Sequence, residues 1–85
     1  MIIASMIVRT DPEKVNDVLL ELQKLPNVTT HGVYKESNII ILVEAESDDK
    51  LKDLGRYINS EFDGVYGTYP TFVSADEDIE VESVN

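Results

Sequence analysis

A catalytic histidine needs a nucleophile or an orienting carboxylate within hydrogen-bond reach. The single histidine of this chain, His31, stands beside Thr29, Thr30 and Gly32, a setting with no such pattern, and reads as an ordinary surface residue. The serines at 5, 37, 47, 60, 74 and 83 sit in no nucleophile elbow. There is no cysteine, which removes disulfides, thiolate metal sites and cysteine catalysis. The glycines at 32, 55, 64 and 67 are too scattered for a dinucleotide fingerprint or a phosphate loop. Asp76, Asp78 and Glu80 have the spacing of the first three ligands of a calcium loop, but the position that requires glycine is Val81. They read as a solvated tail, and Asp48-Asp49 after Ser47 as helix-start residues. The residues point to no enzyme, no cofactor and no metal.

If the chain acts, it acts by binding, and its charge narrows the partner. Seventeen Asp and Glu against seven Lys and Arg give a formal net charge of −10. Such a surface repels phosphate backbones and anionic headgroups, which argues against nucleic acid and membrane and for a basic partner. The blander role of acidic residues, keeping a small domain soluble, accounts for many of them. Five acids and no base lie from Asp76 onward. Residues 76–85 are therefore expected to be an acidic, disordered tail after a domain spanning 1–75. The N-terminus, M-I-I-A-S-M-I-V-R-T, has no secretory-leader pattern, and no apolar run has the length of a membrane span. The expected location is cytoplasmic.

The elements that would build a binding surface are legible in order. Residues 2–9 form an apolar strand. Thr10-Asp11-Pro12-Glu13 follows as a helix start in which Thr10 and Glu13 can form a capping box. Val15, Val18, Leu19, Leu22 and Leu25 then recur at helical spacing until Pro26-Asn27. Residues 28–35 make a more polar strand, joined at Glu36-Ser37 to residues 38–46, N-I-I-I-L-V-E-A-E, a run rich in β-branched side chains. Ser47 caps a second helix with Leu51, Leu54, Tyr57, Ile58 and Phe62 on its stripe and Gly55 inside it, where close approach to the sheet is a plausible reason for the glycine. Asp63-Gly64 turns into a last strand, 65–73, which carries Pro70. The order β-α-β-β-α-β with right-handed crossovers predicts an α+β, ferredoxin-like domain: a four-stranded antiparallel sheet with two helices on one face. In that topology the first and third strands are central. The two apolar strands take those places, and the polar and proline-bearing strands take the edges.

Two helices cover only one face, yet both central strands are apolar on both phases. An open apolar face is a binding or dimer surface. Met6, Val8, Ile39, Ile41, Val43 and Ala45 are assigned to the helix side, and Ser5, Ile7, Arg9, Ile40, Leu42 and Glu44 to the open side, because Arg9 and Glu44 mark the phase that tolerates charge. RNA-recognition domains use this face to stack bases on aromatics, but residues 3–8 and 39–43 contain none and the net charge has the wrong sign. Tyr66, Tyr69 and Phe72 lie on the last strand, where core packing and a rim contact explain them equally well.

From Ala4 to Val73 the chain resembles the NapD family, cytoplasmic chaperones of periplasmic nitrate reductase maturation. The likeness rests on S-M-I-V at 5–8, on Leu25-Pro26-Asn27-Val28, on I-I-I-L-V-E-A-E at 39–46, on Gly64-Val65 and on the acidic tail. It implies a non-enzymatic domain that binds the twin-arginine signal peptide of the nitrate reductase catalytic subunit, as a helix across the sheet, and delays export until cofactor insertion. A basic pair followed by an apolar segment complements an apolar face with an acidic surround. The expected peptide site is Ser5, Ile7, Arg9, Ile40, Leu42, Glu44 and Glu46, with Glu44 or Glu46 pairing with the arginines. The expected assembly is a monomer or weak homodimer. The competing reading is an ACT-like amino-acid sensor acting as a dimer, although its glycine-bearing loop after the first strand is here Arg9-Thr10-Asp11-Pro12. A bare homodimer interface is the third.

Overall fold

β-Branched and other apolar residues dominate the two central strands of the computed structural model, which describes residues 1–75. In chain order the elements are β1 (Ile2–Thr10), α1 (Val15–Gln23), β2 (Val28–Tyr34), β3 (Asn38–Ala45), α2 (Asp48–Glu61) and β4 (Val65–Ala75). The sheet order is β2-β3-β1-β4, and β1–β3, β1–β4 and β2–β3 all pair antiparallel. The fold is the expected ferredoxin-like one, with the apolar strands inside and the polar and proline-bearing strands at the edges. The expectation for the acidic tail at 76–85 lies outside the described residues.

Strand period sorts the core. Ala4, Met6 and Val8 of β1 and Ile39, Ile41, Val43 and Ala45 of β3 are buried together with Val18 and Leu22 of α1 and Leu51 and Ile58 of α2. Both helices thus press their apolar stripes onto one face, with Val15, Leu19, Leu54 and Phe62 packed around the margin. Phe62 also meets Tyr57 edge to face, with ring centroids 5.8 Å apart.

The two helices start differently. Ser47 Oγ accepts the Lys50 N–H at 3.2 Å and caps α2 as expected. The capping box at α1 does not form: Thr10 is the last residue of β1 and buried, and its hydroxyl donates to the Ser37 carbonyl at 3.2 Å. A partner distant in sequence has captured the cap. In its place Asp11 Oδ1 accepts the Glu13 N–H at 3.0 Å in a local turn, and α1 begins only at Val15, without a side-chain cap.

Two further local expectations change. The β2–β3 connection is three residues, Lys35, Glu36 and Ser37, with φ of 52° and 70° at Lys35 and Glu36, rather than a turn of Glu36-Ser37 alone. Close approach to the sheet does not explain Gly55, since a methyl group there would meet only Met6 Cε, at 3.9 Å. Gly64 does have a steric reason. Its φ is +93°, and a Cβ would sit 2.6 Å from Lys14 Cβ, where the Asp63-Gly64 turn meets the entry to α1. Lys14 Nζ binds Asp63 Oδ2 at 2.5 Å across this junction, and the Gly64 carbonyl accepts the Asp11 N–H at 2.8 Å.

Candidate functional site: the open face of the sheet

The residues between the buried ones define the second face. Register pairs them into rungs: Tyr34, Asn38, Arg9 and Gly67; then Ile40, Ile7 and Tyr69; then Thr29, Leu42, Ser5 and Phe72; then Glu44 and Ile3. Among the described residues no helix lies over them, because α1 and α2 pack on the opposite side. Ile3, Ser5, Ile7, Ile40 and Leu42 are half-buried by their neighbours, while Arg9 and Glu44 are exposed. Six of the seven residues expected from strand phase, Ser5, Ile7, Arg9, Ile40, Leu42 and Glu44, therefore share one surface. Glu46 lies one residue beyond β3. With Glu44, Leu25 and Lys50 it borders a groove of about 460 Å³ at that end of the sheet.

Three aromatic side chains missing from the strand-phase reading also stand here. Tyr34, Tyr69 and Phe72 are 56%, 50% and 59% exposed. A regular strand would send residues 69 and 72 to opposite faces, because side chains alternate. In β4 the ladder runs Ser5–Phe72 and then Met6–Pro70, leaving Thr71 as an extra residue. That bulge brings Tyr69 and Phe72 to the same side. Thr71 is not idle, since its hydroxyl donates to the Ser5 carbonyl at 3.1 Å. A second bulge leaves Tyr66 unpaired between Val65 and Gly67. Pro70, which has no N–H for a ladder, and Gly67 within the strand are the hints in the sequence that β4 is irregular.

Gly67 seats Tyr69. A Cβ at Gly67 would lie 2.6 Å from Tyr69 Cζ and 2.9 Å from Cε2, so the phenol ring rests over bare backbone two residues away. An aromatic laid over a strand glycine covers the backbone that the glycine leaves open. The rings come from the edge strands and flank the aliphatic centre, unlike the central stacking residues of an RNA-binding sheet.

The face is polar at its two ends. Arg9 is in the first rung, and Glu44 in the last, with Glu46 just beyond. The aliphatic side chains between them hold no catalytic group. Among the described residues no three His, Cys, Asp or Glu side chains gather as a metal site. Among the same residues no helix is long and apolar enough to cross a membrane.

The edges on either side resist extension by another strand. In β2 the register shifts between Thr30 and Val33 around Gly32, whose φ is +104°. In β4 Pro70 and the two bulges interrupt the outer row of backbone groups. The open face is thus left as the wider uncovered surface of the sheet.

The model of the NapD protein family matches residues 1–77. The chain belongs to the NapD family. The solution structure of the E. coli Tat proofreading chaperone NapD has the same fold, with a TM-score of 0.72 at 19% identity, over 98% of this chain and 86% of that one. No curated protein matches the chain in a sequence search.

Proposed function

We propose that the chain is a binding chaperone whose open sheet face takes up a twin-arginine signal peptide, that of the periplasmic nitrate reductase catalytic subunit, in the cytoplasm and delays its export until cofactor insertion. Membership of the NapD family supports the class, and the E. coli neighbour is itself a Tat proofreading chaperone. The observation that carries the reading is the aliphatic row Ile7, Ile40 and Leu42 on a face that no described element covers.

The physical case runs through the peptide's own chemistry. Such a peptide is a basic pair followed by an apolar segment. The face presents side chains and no free backbone groups, so an occupant must satisfy its own N–H and C=O groups, which a helix does. Its apolar side meets Ile3, Ile7, Ile40 and Leu42, at about 25 cal/mol per Å² buried, less the cost of ordering the peptide. Tyr69 and Phe72 wall one flank and Tyr34 the other. Glu44 and Glu46 accept the guanidinium groups, whose planar forks suit carboxylates better than lysine does.

Calorimetric titration with the synthetic signal peptide, beside a twin-lysine version, tests this. Micromolar or tighter binding is expected, weakened by the lysine change and at least tenfold by Leu42→Glu, with thermal stability retained. Absence of binding to both peptides would sink the proposal. A second copy of the chain is the other occupant with a specific observation behind it, because a copy turned end for end sets Arg9 against Glu44. The net charge of −10 on each copy opposes that pairing. Sedimentation equilibrium across a hundredfold concentration range separates the two.

A further inference from the structure

We infer that the open face is directional: it holds a helical peptide with its basic N-terminal end over Glu44 and its C-terminal end over Arg9. This rests on the peptide-binding reading above and goes beyond it by fixing which way the peptide lies.

The argument begins with the register. Ile3 pairs with Glu44, and Arg9 pairs with Asn38. The two charges therefore stand at opposite ends of the central strands, six strand positions apart, or about 20 Å at about 3.4 Å per residue. Every central position between them on this face is Ile40, Leu42, Ser5 or Ile7. A helix spans about 20 Å in about 13 residues, so three to four apolar turns fit between the two charged ends.

Each end then selects a terminus. A helix leaves its last carbonyls unpaired, and that end carries partial negative charge. The exposed Arg9 guanidinium complements it, whereas Glu44 would repel it. The opposite end of the helix carries the basic pair, which Glu44 and Glu46 match and Arg9 opposes. Reversing the peptide places arginines beside Arg9 and the carbonyl end beside two carboxylates, so both contacts turn unfavourable together. The aromatic flank is graded as well: Tyr69 lies in the rung of Ile7 and Phe72 in that of Ser5, so the apolar helix core, not its basic end, meets both rings.

Paramagnetic labelling reads the direction. The protein has no cysteine, so a nitroxide on a single peptide cysteine marks the peptide alone. Peptides labelled at the N-terminus or at the C-terminal end of the apolar segment are added in turn to the isotope-labelled full chain, and amide broadening is compared with the reduced label. The N-terminal label is expected to broaden Ile3, Glu44 and Ala45, and the C-terminal label Tyr34, Arg9 and Gly67. The double variant Arg9→Glu/Glu44→Arg is expected to weaken binding at least tenfold or to invert the pattern. Interchanged patterns in the unmodified protein, or equal broadening of both ends by each label, overturn the direction while leaving peptide binding intact. Broadening by neither label overturns peptide binding, and the direction with it.

Discussion

The two faces of this sheet are built from the same two central strands, in alternate positions, and differ in what lies against them. Ile39, Ile41 and Val43 are fully buried beneath the helices, while Ile40 and Leu42, which alternate with them, remain half-exposed. Hydrophobicity alone therefore does not separate the covered face from the open face in β3. The separating marks are the charges that end each phase: Arg9 and Glu44 belong to the open face, and the covered face of the same strands has none. The open face has a small apolar centre with charges at its ends and aromatic rings at its flanks, a composition that the peptide-binding proposal requires.

The strongest break in this comparison is a pair of neighbouring truncations. Ile41→Ala removes a fully buried side chain and is expected to cost about 2–4 kcal/mol in urea unfolding. Leu42→Ala, one residue on, is expected to cost under half as much while weakening peptide binding. Equal stability losses would mean that the open face is as buried as the core. A finer test is Gly67→Ala. The new methyl collides with the Tyr69 ring rather than with backbone, so the ring must swing away. Peptide affinity is expected to fall by about 0.5–1.5 kcal/mol, the usual worth of an aromatic contact, with the Tyr69 ring resonances shifted and the fold retained. Unchanged Tyr69 resonances would remove the ring from the site.

The smallest effect belongs to neither face. Lys14 and Asp63 pair across the junction of α1 and β4, which raises the Lys14 ammonium above its ordinary pKa and lowers the Asp63 carboxyl below its own, in both cases first through their shared hydrogen bond. A depressed carboxyl contributes stability above its unfolded value, about pH 4, and loses it as pH falls through the folded value. A raised ammonium contributes fully below about pH 10 and loses it as pH rises through the folded value. Asp63→Asn is therefore expected to flatten both shoulders of the stability profile slightly at low salt, and the difference from wild type should vanish in 1 M salt because the pair is exposed. Peptide binding should not change.

How much of this was legible depends on whether a feature is local. The order of elements, the central and edge strands and the two phases of β1 and β3 all follow from apolar periodicity and from where Arg9, Glu44 and Pro70 fall. The Ser47 cap also reads correctly, since its partner is three residues away. The Thr10 cap does not, because Ser37, distant in sequence but adjacent in the sheet, takes its hydroxyl. Tyr69 and Phe72 were invisible as a pair for a related reason. Strand alternation assigns them to opposite faces, and only the register against β1 shows that Thr71 has been skipped. Side-chain types set the faces of the regular strands, whereas long-range pairing sets those of β4.

The Thr71 bulge also changes what insertions and deletions mean in this chain. A substitution in β4 alters one side chain and leaves the rest of the strand where it was. Deleting Thr71 would remove the bulge and leave Tyr69 and Phe72 two positions apart on the same face, whereas keeping Thr71 in a regular, unbulged ladder would carry one of the two rings away from it. When chains of this fold are aligned, a single gap at position 71 therefore leaves the residues on either side of it facing the same way, while an ungapped match to a strand without the bulge pairs residues that point in opposite directions.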